Sequence, residues 1–301
     1  MFSINILNTF ICFLLISINS VDGFKNPCDG GFVPFPSNKE GVADTKYDCV
    51  FNWGAFKESM LFLGKNLPNF DQINQVSLGF HEKSSEYDVA TETYDRIASY
   101  GVNASLVART KYQWAADVNK EMFLEYVTPY GCVNEGRSNW RELMVTATSL
   151  ILSNTSGDMS IPDVVALINE NIWKAGMLGT SSSDIVFKSS QTPLIYDPMS
   201  VIAFGYGSCT GVSLVLIGAL RSVGIPARIA GTPAWNGLEA NGNHNWVEVY
   251  SPGTSQWEFI EAAPAGGGES MSNPCDKWFC NPTNFANGTE VYAARWIQDT
   301  D

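Results

Sequence analysis

The sequence predicts an α+β fold, and three observations carry that expectation. The first half of the chain is mostly runs with helical spacing. At Gly205 a glycine-rich turn opens a helix whose apolar residues fall on every side. After that helix come three short strand-like pieces, two of them joined by a turn holding Pro and Gly.

The chain begins with an apolar run, Phe10 to Ile18, followed by small and polar residues. The run is shorter than the ~20 residues a membrane helix takes. Residues 1–23 therefore read as a secretory signal peptide, with Val21 and Gly23 suiting cleavage, although no Lys or Arg precedes the run. A signal anchor is the alternative. No later stretch is long and apolar enough for a membrane helix, so no stable membrane insertion is expected after cleavage. The expected location is extracellular, or the lumen of the secretory pathway. Three Asn-x-Ser/Thr triplets, at Asn103, Asn154 and Asn287, agree with export and are candidate glycosylation sites.

Residues 24–159 form the expected helical N-terminal region. Phe24 to Asp48 is rich in Pro, Gly and Asn and reads as an extended lead-in. Lys57 to Tyr100 has mixed helical periodicity, clearest in "ATETYDRIASY", and His81 falls on a polar stretch of it that reads as surface. Tyr112 to Val127 reads as one helix, ended by Pro129. In "NWRELMVTATSLILSN" the positions Leu143, Ala147, Leu150 and Ile151 share a helical face.

Residues 160–301 form the second expected region. Ser160, two residues ahead of Pro162, starts a helix that closes on Gly176. The all-round apolar helix runs from about Cys209 to Val223, where Gly224 and Pro226 stop it. The strand-like pieces are "ARIAG", "NWVEVY" and "WEFIEAA", with "SPGTSQ" as the turn between the last two. Alternation in "NWVEVY" predicts one buried face. "AGGGES" reads as a loop, and no internal repeat is present.

Composition bounds the function. With 45% hydrophobic and 12% aromatic residues over 301 positions, the chain can bury a large core. Its 18 basic against 31 acidic residues, net charge −13, exclude a general nucleic-acid binder, which needs clustered cations to displace counterions. Of the seven cysteines, Cys12 leaves with the signal peptide. Cys275 with Cys280, and Cys28 with Cys49, are natural disulfide pairs in an oxidising compartment. That leaves Cys132 and Cys209 either paired or free. With only His81 and His244 as histidines and no paired Cys-x-x-Cys spacing, no metal is expected.

Three residues stand in an order that can carry chemistry. Cys209 opens a helix, His244 opens a strand, and Glu261 lies on the neighbouring strand. A thiol at a helix start feels the positive end of the dipole, which favours thiolate. The N–H groups there can also hold an oxyanion. An imidazole beside the sulfur takes its proton and later gives one to a leaving amine. A carboxylate behind the imidazole fixes its tautomer. The hairpin through "SPGTSQ" would set His244 and Glu261 side by side. Gly205, Gly207 and Gly211 would let a substrate approach the backbone. Trp235, Asn243 and Trp246 surround the histidine as candidate cleft lining.

"YGSCTGVSLVLIGALRSVGIPARIAG", followed by "NHNWVEVY" and "WEFIEAAP", resembles the core of the transglutaminase-like superfamily. The likeness covers about Gly205 to Pro264. "FLEYVTPYGCVNEGRSNWREL", "GTPAW" and "DKWF" resemble flanking segments of some microbial members. The resemblance implies a papain-like core with Cys209 as nucleophile and His244 as base. It places Glu261 where the superfamily has Asp, with Glu248 and Asp276 as reserves. It also implies that Arg221 and Arg228 support the fold, and Gln191 is the candidate oxyanion side chain by residue type. The implied activity is cysteine-dependent acyl transfer on carboxamide or peptide bonds of a protein or peptide substrate, with no cofactor. The oligomeric state stays open. The alternative is an inactive binding or structural protein of the same fold with Cys209 in a disulfide. A glycan-directed amidase lacks support, because the zinc-binding cysteine pairs that accompany that core are absent.

Overall fold

The computed structural model describes residues 53–80, 96–179, 183–190, 196–266, 270–272 and 288–297. The signal segment, Cys28, Cys49, His81, Gln191, Cys275, Asp276, Cys280 and Asn287 lie outside the described residues. The helices of the N-terminal part are α1 (Trp53–Lys65), α2 (Gln75–Leu78), α3 (Ile97–Lys111), α4 (Gln113–Ala116), α5 (Lys120–Tyr126), α6 (Trp140–Ile151) and α7 (Ile161–Asn171). There follow β1 (Val186–Phe187), α8 (Pro198–Phe204), β2 (Tyr206–Gly207), α9 (Cys209–Ser222), β3 (Ala227–Thr232), β4 (His244–Ser251), β5 (Gln256–Ile260) and β6 (Tyr292–Ala293).

Helix α9 is the centre of the molecule. From Gly211 to Ser222 every residue is buried. The reason is its company: α3, α6, α7 and α8 pack around it, and β3 and β4 lie along it. An apolar helix with no polar face is stable only when protein covers it all round. Its contact with α6 is close at Gly218, where a Cβ would come 3.2 Å from the Trp140 ring. The helix stops as the sequence predicts. Gly224 takes the left-handed conformation at φ +79°, and the Ile225 N–H returns to the Leu220 carbonyl. The buried Arg221 guanidinium then ties the helix end forward to the Ala227 carbonyl and back to the Gly131 carbonyl. Arg221 thus supports the fold, as expected.

Among the described residues the main sheet has strand order β5-β4-β3-β6, antiparallel throughout. Mixed helices and an antiparallel sheet make this an α+β fold. Val247 and Val249 of β4 face the main core. The other face is also covered, contrary to the single buried face expected from the alternation. Trp246 packs there with Ala230, Phe259 and the half-buried Trp235. Glu248 is buried because Arg228 pairs with it at 2.7 Å, while the Arg228 guanidinium stacks on Trp257 at 4.0 Å.

Three other expectations change. The single helix over Tyr112–Val127 is two, α4 and α5, because Asn119 caps the second through the Met122 N–H. The buried Arg109 takes the Ala116 and Val118 carbonyls left over at the break. Helix α3 runs on to Lys111, past the expected end at Tyr100, with Val102 and Ala108 in the core. It also encloses Asn103. The hydroxyl of that triplet, Ser105, is buried and donates to the Gly101 carbonyl, so Asn103 does not present a glycosylation triplet on a loop. Asn154, by contrast, is exposed in the turn after α6. Finally, the main core gathers Trp114, Trp140 and Met144 together with residues of α7, α9, β3 and β4. It therefore runs across the 159/160 boundary.

Gly224 offers a direct check on this packing. A Cβ there would meet Ala115 Cβ at 2.4 Å, on a backbone that L residues rarely adopt. Gly224→Ala is expected to cost about 2–4 kcal/mol in urea unfolding.

Candidate active site

The site begins at the first turn of α9. Ser208 stands at the N-cap in extended conformation, and Cys209 follows it, half-buried. The first N–H groups of a helix have no intrahelical acceptor and point out of its end. Cys209 is a free thiol, as is Cys132. The two do not pair with one another.

The second component comes from β4. In the β3–β4 ladder, His244 is opposite Thr232 at the last pair. In the β4–β5 ladder, Val247 is opposite Ile260. Carried one step further, that register sets Glu261 across from Trp246 and diagonal to His244, on one face of the sheet. The expected approach of the two side chains is what the structure has: His244 Nε2 and Glu261 Oε2 are 2.7 Å apart. Their side chains are only 20% and 13% exposed. With Nε2 taken, the ring is left with Nδ1 for its hydrogen bond to the Cys209 thiol.

Burial opposes charge on both partners, yet both are shifted toward the charged form. Burial pushes the Cys209 thiol up. The hydrogen bond from His244, with those from the Asn245 and Thr210 backbone N–H groups, reverses this and leaves the thiol below its ordinary value. Burial likewise pulls His244 down, but its bonds to Cys209 and Glu261 raise it to about 9. The surroundings thus favour the charged form of both partners, thiolate and imidazolium. Cys132 behaves in the opposite way: burial lifts its thiol to about 11, although the Arg221 charge works against this.

Asn245 carries no local signal of its own in the sequence. Its side chain donates to Thr210 Oγ1 at 2.7 Å, and its backbone N–H serves the Cys209 sulfur. It thereby ties the start of β4 to the start of α9. The neighbouring strand must make room: a Cβ at Gly231 would lie 2.1 Å from Asn245 Oδ1. The glycine was the available signal.

Other expected site residues fall elsewhere. Trp246 is 2% exposed, so it is core beneath the histidine and not cleft lining. Gly207 is also buried. A Cβ there would meet Val201 at 3.1 Å and the Val212 backbone nitrogen at 3.3 Å, so the glycine serves packing and not substrate approach. Gly205 is the left-handed cap of α8. Trp235 is half-buried and Asn243 exposed, both in the loop ahead of His244. Glu248 is committed to Arg228. Among the described residues, no group of three or more His, Cys, Asp and Glu side chains is gathered as a metal site.

The two free thiols allow an internal comparison. At pH 7, iodoacetamide is expected to label Cys209 at least ~10-fold faster than Cys132, and His244→Ala should abolish the difference. The pH dependence has a definite sign. The raised His244 contributes stability that is fully present below about 6.5 and is lost as pH rises through about 9. The lowered Cys209 contributes stability that is lost as pH falls through its own titration. Labelling of Cys209 that rises only above pH 8, as for an ordinary thiol, would contradict the ion pair.

Residues 179–262 match the family model of the transglutaminase-like superfamily. No curated protein and no solved structure matches the chain. The matched stretch begins just ahead of β1 and ends one residue past Glu261, so it holds Cys209, His244 and Glu261 together.

Proposed function

We propose that the protein is a secreted, cysteine-dependent acyl-transfer enzyme acting on carboxamide or peptide bonds of proteins. The observation that carries this reading is His244, bonded to Cys209 on one side and to Glu261 Oε2 at 2.7 Å on the other. The apolar run Phe10 to Ile18, read as part of a signal peptide, supports export.

In the first half-reaction the Cys209 thiolate attacks the substrate carbonyl carbon. A C–S bond forms and the oxygen becomes an oxyanion, held by N–H groups at the start of α9. The imidazolium then gives its proton to the leaving nitrogen as the C–N bond breaks. A thioester remains on Cys209, with neutral His244. In the second half-reaction an amine or a water molecule attacks the thioester. His244 takes its proton, and the thiolate is expelled. Glu261 holds the ring in one tautomer and stabilises each imidazolium stage.

A binding protein with Cys209 locked in a disulfide fits less well, since the Cys209 thiol is free. The test uses a glutamine-containing peptide with a fluorescent primary amine, following both ammonia release and amine incorporation. Cys209→Ala is expected to abolish both. His244→Ala should lower the rate by about 10²–10⁴-fold, with the far-ultraviolet spectrum unchanged. Wild-type turnover by Cys209→Ala would sink the proposal. The ratio of incorporation to release shows whether the thioester passes to amine or to water.

A further inference from the structure

We infer that Asn169, at the far end of α7, is a positioning residue that sets Glu261 against His244; the inference rests on the catalytic reading above. Glu261 lies one residue beyond β5, whose last ladder pair is Val247 with Ile260. The sheet therefore does not fix the backbone at 261 through its ladder. Asn169 does so instead, from 92 residues upstream in sequence. Its Nδ2 donates to the Glu261 carbonyl at 2.8 Å, and its Oδ1 accepts the Ala263 N–H at 2.9 Å. One planar amide thus takes the carbonyl before Ala262 and the N–H after it, as a neighbouring strand would.

The amide is itself oriented. Trp173 Nε1 donates to the Asn169 backbone carbonyl at 2.7 Å and lies 3.3 Å from Oδ1. That contact distinguishes the oxygen from the nitrogen. Asn169 is 1% exposed, between apolar neighbours of α7 that face the main core. An uncompensated amide in such a place is costly, and these bonds satisfy it. Only an amide side chain offers a donor and an acceptor in one plane at this length. Aspartate keeps the acceptor and loses the donor, and an aliphatic residue loses both. With the backbone released, the short bond to His244 would lengthen, and the imidazolium would lose the support of the Glu261 carboxylate.

The chain has two histidines, so the imidazole of His244 can be followed by NMR once His81 is assigned by substitution. In the wild type His244 should titrate at about 9. In Asn169→Ala the midpoint is expected to fall by about one to three pH units, and amide turnover to lose kcat with KM little changed. Asn169→Leu keeps the side-chain volume while deleting both bonds, and it stands in where the alanine cavity prevents folding. In a Glu261→Gln background, Asn169→Ala should move the midpoint no further, as expected when one residue acts through another. A lowered melting temperature with the His244 titration unchanged would overturn the inference, as would additive shifts in the double variant. Failure of the enzyme reading is separable: it shows as no amide turnover in the wild type, whatever His244 does on loss of Asn169.

Discussion

A helix covered on every side meets solvent only at its ends. Helix α9 presents its first turn, and Cys209 and Thr210 are its half-buried residues ahead of the buried run that starts at Gly211. This single constraint organises the site. The elements that bury α9 are those that deliver the partners: β4 lies along the helix and carries His244 at its first residue, and β5 continues the sheet to Glu261. A charge pair in such a place must overcome desolvation. Here each charge has a donor or acceptor aimed at it. The sulfur receives the imidazole and two backbone N–H groups, and the imidazole receives a carboxylate. The charged form is thereby favoured by groups already in place, the kind of preorganisation the proposed acyl transfer would use.

How much of this was legible depended on the range of the interaction that decides each feature. Helix α9, its Gly224 stop and the three strands were readable because local apolar pattern and turn chemistry agree with the fold there. The approach of Glu261 to His244 was readable too, because a hairpin converts sequence spacing into register. The Asn119 cap that splits Tyr112–Val127 is local, a single side chain inside a run of continuous helical spacing. Other features are set at long range. Trp246 is core because Trp235 packs over a sheet face that alternation alone would leave to solvent. Helix α3 continues through Gly101 because Val102 and Ala108 find a core, and packing overrides propensity. The Asn169 bond to Glu261 spans 92 residues and has no local pattern at all.

The main core crosses the 159/160 boundary for a related reason. A texture change in the sequence reports a change of secondary structure, and a domain is defined by its core. Trp114 shows the difference. It belongs to the helical first half, yet its indole N–H donates to the Val223 carbonyl at the end of α9 at 2.9 Å. Gly131, in the loop before α6, gives its carbonyl to Arg221 of the same helix. The last turn of α9 is therefore completed by groups from the N-terminal half. The matched segment over 179–262 contains Cys209, His244 and Glu261, and its central helix draws packing from well outside it.

A glutamate side chain has one more rotatable bond than an aspartate, so holding its carboxylate in one place costs more conformational entropy. Its gain is reach. Glu261 stands past the last ladder pair of β5, diagonal to His244, where a longer arm can place Oε2 at 2.7 Å from the ring. Its other oxygen, Oε1, is buried without a hydrogen-bond partner among the described residues. Such an oxygen does nothing to fix the carboxylate, so the orientation must come from the Oε2 bond and from the backbone that carries the side chain. That backbone is the part gripped by the Asn169 amide. A longer, looser acid and a buried amide clamp are thus complementary, since the reach of the first is useful only with the fixed origin supplied by the second.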